Sequence, residues 1–205
     1  MTEPCPHIVD DDEAIRDGLQ WLFKTRRLAS STWPSAEAFL DAVQPDWQGC
    51  VVMDIRMGGM NGLACFDALR ARGNTLPVVF ITGHGDVPMA VSALKKGAFD
   101  FIEKPFNGSD LVEVVMRAMA ADRLERARIL ERAAVSEKLA SLTNREREVM
   151  DLILAGHYNK VIGDKLNISM RTVEVHRSKI FDKTGVRSAV ELAQLLKQSG
   201  HLDGG

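Results

Sequence analysis

The sequence lacks long apolar runs and a recognisable export signal. No stretch of its 205 residues approaches the ~20 consecutive apolar residues that a bilayer-spanning helix needs. The segment from Met1 to Pro6 contains no basic region followed by an apolar stretch, so it does not have the form of a secretory signal. We therefore expect a cytoplasmic protein, and the content of 45% hydrophobic and 26% charged residues is ordinary for a globular chain.

Cysteine is scarce and badly spaced for cross-linking. The three cysteines, Cys5, Cys50 and Cys65, are odd in number and far apart, and they lack the spacing of metal ligands. A disulfide framework or a zinc site is therefore not expected. We interpret the three residues as small buried side chains.

Net charge is also small, but it is unevenly distributed. The whole chain carries −2, while residues 1–120 hold 16 acidic and 11 basic side chains and residues 141–205 hold 8 acidic and 10 basic ones. The positive balance of the second part is a weak indication of nucleic-acid binding, because a few charges can simply solvate a helix face.

Residues 5 to about 120 alternate between short apolar runs and helix-like segments. This alternation predicts βα units around a buried parallel sheet. The predicted strands are Cys5 to Val9, Leu28 to Trp33, Cys50 to Met53, Val78 to Ile81 and Phe99 to Ile102. The predicted helices cover about 13–25, 35–44, 61–71 and 86–96, the last opened by Asp86, and one more helix is capped by Ser109.

Two domains and a linker follow from the length and the change of pattern. We expect a first domain at 1–120, a helical linker at 121–140 and a second domain at 141–205. The linker is rich in strong helix formers. Its apolar residues recur every three or four positions, so they either pack on a second copy or, more often for so short a stretch, rest on their own domain; they are Leu124, Ala127, Leu130 and Ala134.

After Ser141 the pattern predicts helices alone. Thr143 and Glu146 have the capping-box form and begin a helix that ends at Gly156. Three further helices are predicted at Asn159 to Leu166, Ser169 to Lys183 and Ser188 to about Gln198, followed by a disordered tail from His201 to Gly205. A short helix, a turn and a longer helix form the helix-turn-helix layout.

Polar residues follow four of the predicted strands at their carboxyl ends. Asp10, Asp11 and Asp12 follow the first strand, Asp54 the third, Thr82 the fourth and Lys104 the fifth. Since ligands bind at this edge of an open parallel sheet, the residues should converge on one crevice. Clustered carboxylates repel one another unless a cation lies among them, and Mg²⁺ is the hard ion that oxygen ligands suit best.

This set of groups favours phosphoryl transfer to a carboxylate. Asp54 would be the nucleophile, and Asp10 and Asp11 would hold Mg²⁺ directly or through water. Lys104 would pair with one phosphoryl oxygen and the hydroxyl of Thr82 would donate to another. The alternative is that each residue merely caps a helix or begins a turn, which is reasonable for any one of them but not for residues at the ends of four strands.

Three segments resemble the receiver domains of two-component response regulators. They are HIVDDDEAIRDGL, VVMDIRMGGMNG and VVFITGHGDVPMAVSALKKGAFDFIEKPF, and the third is similar to the FixJ-like branch. The resemblance implies a flavodoxin-like (βα)5 fold, phosphorylation by a sensor histidine kinase, and a backbone carbonyl of Arg56 in the metal shell. It also implies that Thr82 and Phe101 form a switch pair, although Phe101 can equally be an ordinary strand residue. In FixJ-like relatives the face around Val91 and Lys95 dimerises.

The loop after Asp54 departs from that family at one position. Most relatives carry proline where this chain has Gly58. Glycine is conformationally permissive, so we expect a more mobile loop that changes how readily the site is preorganised, rather than whether it reacts.

The third helix of the second domain offers an outward polar set and an inward apolar set. Val173, His176 and Ile180 should face the core. Thr172 and Arg177 suit phosphates, while Glu174, Val175 and Ser178 suit base edges, and Lys179 also faces outward. Lys160, at the start of the preceding helix, can also reach a phosphate. The alternative is a charged, solvated face of a helical docking domain.

The run LTNREREVMDLILAGHYNKVIGDKLNISMRTVEVHRSKIFDKTGVRS is similar to the LuxR/NarL-type DNA-binding domain, especially through LTxRE, NKxI and TVEVHRxxI. It departs mildly from that family at Gly163 and Gly185. The resemblance implies promoter DNA and RNA polymerase as partners, and a homodimer when the receiver is phosphorylated.

Two rival functions remain open at this point. A phosphoaspartyl hydrolase uses the same residue types, but it carries an acid two residues after the nucleophile, where this chain has Arg56. We therefore do not expect an enzyme. The second domain could instead bind RNA or a protein.

Overall fold

A computed structural model of the chain describes residues 3–83 and 87–198. Contacts divide the chain into two compact units, Met1–Arg126 and Ala127–Gly205. Among the described residues, no helix combines the length and the apolarity needed to cross a membrane. The predicted opening residue Asp86 and the predicted disordered tail 201–205 lie outside the described residues.

The first unit is built on a parallel sheet of five strands in the order β2-β1-β3-β4-β5. This is the predicted flavodoxin-like receiver architecture, in which the chain reverses direction across the sheet between β1 and β3. The strands are β1 Cys5–Val9, β2 Ser31–Trp33, β3 Gly49–Asp54, β4 Val78–Thr82 and β5 Asp100–Glu103.

Helices cover both faces of this sheet. They are α1 Glu13–Thr25, α2 Ala36–Ala42, α3 Gly62–Ala71, α4 Val87–Lys95 and α5 Gly108–Ala140. Neighbouring strand residues point to opposite faces, so Val51 belongs to the core under α2, α3 and α4, and Val52 to the core under α1 and α5. Burial on both faces explains why the central strands read as continuous apolar runs.

Two local predictions in the first unit were wrong. Strand β2 begins at Ser31 rather than Leu28, because the amide of Leu28 still bonds the carbonyl of Phe23 in the turn that ends α1. Ser109 does not cap α5, since its own backbone N–H donates to the side chain of Asn107 at 2.9 Å. Cys50 and Cys65 are buried as expected, whereas Cys5 is half-buried.

The second unit is helical. Its helices are α6 Asn144–Leu154, α7 Asn159–Leu166, α8 Met170–Thr184 and α9 Ala189–Gln198. The predicted capping box of Thr143 and Glu146 is present at the start of α6. Ser169 caps α8 by accepting the N–H of Thr172, and Gly185 ends it with a left-handed backbone at φ 77°. The turn between α7 and α8 contains Asn167, which is also left-handed.

The segment expected to act as a linker is helical and contributes to both units. Asp122 is buried in the first unit, while Val135 and Leu139 are buried in the hydrophobic core of the second. The apolar residues expected to rest on their own domain do not do so: Leu124 is 54% exposed and Leu130 is 70% exposed. The buried positions that attach this helix are therefore different from those that the spacing suggested.

Asp122 fastens α5 to the loop before β3. Its carboxylate is 4% exposed and accepts the backbone N–H of Gly49 at 3.0 Å and the guanidinium of Arg126 at 2.9 Å. Arg126 also donates to the backbone carbonyl of Trp47. Every group in this network is hydrogen-bonded, which is what makes a buried carboxylate tolerable.

We expect Asp122→Ala to lower the free energy of unfolding by about 2–4 kcal/mol, because it leaves the N–H of Gly49 and the charge of Arg126 without their partner. Urea unfolding of the full-length chain measures this. The matched control is Arg117→Ala, which breaks the exposed pair with Asp100 at 2.9 Å and should change stability by less than about 1 kcal/mol. Equal losses in the two variants would contradict the assigned role of Asp122.

Candidate acidic site and nucleic-acid interface

The polar residues at the carboxyl ends of four strands lie in one crevice. Asp10 follows β1, Asp54 ends β3 and Thr82 ends β4, and these residues are almost completely buried at 1%, 9% and 0% exposure. Lys104 follows β5 and its ammonium lies 2.9 Å from Oδ2 of Asp54 and 3.5 Å from Oδ2 of Asp10. One lysine is thus shared by two buried carboxylates.

The electrostatics of the crevice follow from this sharing. Burial raises the pKa of Asp10, although the N–H of Asp12 and the charge of Lys104 act in the opposite direction. For Lys104, burial disfavours the charged form, but the hydrogen bond that its ammonium donates to Asp54 and the charges of Asp54 and Asp10 outweigh this effect, so the pKa of Lys104 is raised. The site keeps a cationic lysine and an excess of carboxylate.

A row of backbone amides binds the carboxylates around the acceptor loop, residues 55–61. The N–H of Arg56 donates to Oδ1 of Asp54 at 3.2 Å, and the N–H of Gly58 donates to Oδ2 of Asp11 at 2.7 Å. Asp11 is therefore held at the mouth of the crevice by the loop itself.

Glu37 on α2 completes this arrangement, although no sequence pattern pointed to it. Its Oε1 accepts the N–H of Met60 at 2.8 Å. Hydrogen bonds from its own backbone N–H and from Met60 lower the pKa of Glu37. In the sequence Glu37 resembles any acidic residue in the first turn of a helix, so no signal distinguishes it.

The donor set fits a magnesium ion. Asp10 Oδ2 is a buried carboxylate oxygen that accepts no hydrogen bond, and the ammonium of Lys104, 3.5 Å away, is shared with Asp54, so this oxygen can still take a cation. No group of three or more His, Cys, Asp and Glu side chains in the described part of the chain is close enough to hold a metal by itself. Mg²⁺ does not require such a group, because it keeps several waters and also takes backbone carbonyls.

The two residues of the expected switch pair lie on adjacent strands. Thr82 is fully buried and its hydroxyl donates to the carbonyl of Gly83 at 3.3 Å. Phe101 on β5 is half-buried and packs against the core under α2, α3 and α4. Phe101 pairs in register with Phe80, two residues before Thr82 on β4. On α4, Val91 is 39% exposed and Lys95 is also exposed one turn later.

Helix α8 presents the expected outward residues to solvent. Val173 and Ile180 are buried as predicted, and His176 is half-buried. The exposed residues are Glu174, Val175, Ser178 and Lys179, and Lys160 is exposed on α7. Thr172 and Arg177 are half-buried, and each already has a partner. The Thr172 hydroxyl lies 2.8 Å from Oγ of Ser169, and the Arg177 guanidinium lies 5.4 Å from the Phe181 ring.

An ion pair between a buried glutamate and a half-buried lysine attaches the end of α8 to the start of α6. Glu146 Oε2 accepts from Lys183 Nζ at 2.6 Å and from the N–H of Thr143 at 2.8 Å. Lys183 also donates to the carbonyl of Ser141 at 3.0 Å. The sequence predicted the capping role of Glu146 but not its pairing with a lysine 37 residues away.

Known families account for both units. The description "Response regulator receiver domain" matches residues 7–116 and "Bacterial regulatory proteins, luxR family" matches residues 140–196. The chain belongs to the response-regulator family. As the sequence predicted, it joins a receiver domain to a LuxR-type helix-turn-helix DNA-binding domain and is a transcriptional regulator of the two-component type.

Relatives of this response regulator match along nearly the whole chain. It is 47% identical over 195 residues to the C4-dicarboxylate transport transcriptional regulatory protein DctR of Rhodobacter capsulatus, covering 92% of this chain and 97% of that one. It is 40% identical over 201 residues to FixJ of Azorhizobium caulinodans, covering 98% and 95%. Among solved structures, the response regulator StyR matches with a TM-score of 0.88 and 36% identity over 96% of this chain and 100% of that one.

The ion pair of Glu146 gives the response regulator a defined acid sensitivity. The hydrogen bonds from Lys183 and from the Thr143 N–H lower the pKa of Glu146 to about 2, from an ordinary value of 4.5. A depressed carboxyl pKa stabilises the fold above the ordinary value, and this contribution is lost as the pH falls through the interval from about 4.5 to about 2.

We expect Glu146→Gln to lower the free energy of unfolding at pH 7 by about 1–3 kcal/mol. Its difference from the wild type should shrink as the pH falls from 5 to 2, because the wild type then protonates Glu146. Urea unfolding of the full-length chain across this range measures the effect. Glu148→Gln, which removes the exposed partner of Arg145, is the control and should stay within about 1 kcal/mol of the wild type. A pH-independent difference for Glu146→Gln would contradict the assignment.

Proposed function

We propose that a sensor histidine kinase phosphorylates this response regulator on Asp54. The observation that carries the proposal is the ammonium of Lys104 at 2.9 Å from Asp54 in a crevice of strand ends. An Asp54 oxygen attacks phosphorus, the bond from phosphorus to the kinase imidazole nitrogen breaks, and that nitrogen keeps the electron pair.

The surrounding side chains neutralise and orient the transferred group. Lys104 pairs with one phosphoryl oxygen, and the hydroxyl of Thr82 donates to another. Asp10, Asp11, Asp54 and the backbone carbonyl of Arg56 would hold Mg²⁺, which supplies positive charge opposite the phosphoryl oxygens when bound. Arg56 is two residues after Asp54 and cannot act as a general acid, so we propose a switch rather than a hydrolase that turns over.

Phosphorylation then changes the face around α4. We propose that Thr82 moves toward the phosphoryl group, that Phe101 follows, and that Val91 and Lys95 form part of a dimer face. Exposure of both α4 residues supports this. A shift of this kind needs only a few kcal/mol of difference between the two states.

The output of the switch is promoter binding by α8. Thr172 and Arg177 contact phosphates, together with Lys160 and Lys179, while Glu174, Val175 and Ser178 contact base edges. RNA polymerase is the next partner at a promoter. We expect the protein in the cytoplasm, where bacterial promoters are found.

The phosphorylation step predicts a defect in Asp54→Asn. The amide has the shape of the carboxylate but cannot form the acyl phosphate, so the variant should stay unphosphorylated, monomeric and weak in DNA binding. Light scattering and DNA binding with and without a phosphoryl donor measure this, and DNA binding is best followed genome-wide. An Asp54→Asn protein that dimerises and binds like the phosphorylated wild type would overturn the proposal.

The DNA interface predicts a change in salt dependence. Arg177→Ala should weaken binding to all duplex sequences and reduce the slope of log affinity against log salt by about 1, because one phosphate contact is lost. Lys197→Ala, which removes an exposed charge from α9, is the control and should leave the slope unchanged. Preferential binding of RNA or of a protein, with no footprint on duplex DNA, would favour the rival functions.

A further inference from the structure

We propose that the backbone N–H of Gly58 is a positioning group for the magnesium site, holding Asp11 so that its second carboxylate oxygen is directed to the ion. The inference rests on the proposed function, since it requires that the crevice bind Mg²⁺. The group with this role is a main-chain amide, and not one of the side chains that line the site.

The first support is the regular arrangement of amides in the acceptor loop. The N–H groups of Arg56, Gly58 and Met60 occupy alternate positions, and each donates to a carboxylate from a different element. The three acceptors are Asp54 at the end of β3, Asp11 before α1 and Glu37 on α2. The loop is therefore fastened at its beginning, middle and end.

The second support is the length of the central bond. The distance from Gly58 N to Asp11 Oδ2 is 2.7 Å, at the short end for an N–H donor and a carboxylate acceptor. A carboxylate has two oxygens, so engaging Oδ2 leaves Oδ1 for the metal. Donors of this kind orient metal ligands, and removing one typically weakens metal binding 10–100-fold.

The identity of residue 58 decides whether the bond exists. A proline at this position would have no N–H and could not donate to Asp11. An alanine would keep the N–H, and its Cβ would lie 3.5 Å from Asp11 Oδ2, an ordinary contact. The glycine that the sequence marked as a source of mobility is thus a donor in the structure.

Glu37 supports Gly58 from the far side of the loop. Gly59 has a left-handed backbone at φ 78°, and a Cβ there would meet Oε1 of Glu37 at 2.9 Å. The bond from Met60 to Glu37 keeps the turn in this conformation next to Gly58. Loop conformation and the orientation of Asp11 are therefore set together.

The experiment compares Gly58→Pro with Gly58→Ala in the full-length chain. Isothermal titration with MgCl2 should give a wild-type affinity that Gly58→Ala keeps within about threefold and Gly58→Pro loses by about tenfold. Thermal unfolding of the two variants checks that both are folded. Equal Mg²⁺ affinities in the two variants would overturn the inference, whereas a wild type that binds no Mg²⁺ would overturn the metal site of the proposed function itself.

A second measurement uses the wild type alone, so it does not depend on whether the Gly58→Pro variant folds. In ¹⁵N-labelled protein the Gly58 amide should be shifted downfield and protected from exchange, and both properties should persist when MgCl2 is added. Loss of the shift and of the protection on adding Mg²⁺ would show that the metal breaks the bond, and the positioning role would then be wrong.

Discussion

The pairing of one lysine with two buried carboxylates is the interaction on which the first domain's site depends. The ammonium of Lys104 lies 2.9 Å from Asp54 and 3.5 Å from Asp10, and the two carboxylate side chains are only 11% and 2% exposed. Removing a carboxylate from water is expensive, and a single cation cannot fully compensate two of them. The crevice is therefore stable only while Lys104 stays charged, and it has a remaining affinity for positive charge.

The sheet is what makes this pairing possible. Strands β1, β3 and β4 are mostly apolar and buried on both faces, so their interiors hold few polar groups, His7 of β1 being one. The polar groups of the site are found instead where the strands end, and the parallel topology brings those ends to one edge. Asp54 and Asp10 are neighbours because β1 and β3 are neighbours, even though 44 positions separate them in the sequence.

Sequence patterns predicted the sheet and its polar edge, but not the contacts between segments distant in the chain. Apolar runs and turn residues located all five strands, and chain order placed Asp54, Thr82 and Lys104 at one edge. Glu37, Asp122 and the partner of Glu146 were missed, because each acts through a hydrogen bond or ion pair between segments distant in the chain. Such bonds leave no periodicity, and acidic residues of this kind are common on helix surfaces.

The prediction that the apolar residues around Leu124 and Leu130 of α5 rest on their own domain was wrong for a related reason. Spacing identifies which residues of a helix share a face, but it does not tell where along the helix that face is covered. Leu124 and Val135 lie on nearly the same side of α5, yet Leu124 is exposed, whereas Val135 and Leu139 are buried in the second core. In the first unit, α5 packs through Leu111, Val115 and Ala118 in the hydrophobic core, and the network of polar groups around Asp122 adds hydrogen bonds to this packing.

These attachments bear on how a signal reaches α8. The receiver end of α5 is fixed by Asp122, and α8 is fixed at its carboxyl end by Lys183 and Glu146, so each unit holds its own elements firmly. The dimerisation proposed for the α4 face does not require either attachment to change. Joining two copies raises the effective concentration of one recognition helix next to the other, and affinity for paired half-sites rises without a new contact to DNA. The proposed switch of Asp54, Thr82 and α4 therefore needs no rearrangement within the second unit to control DNA binding.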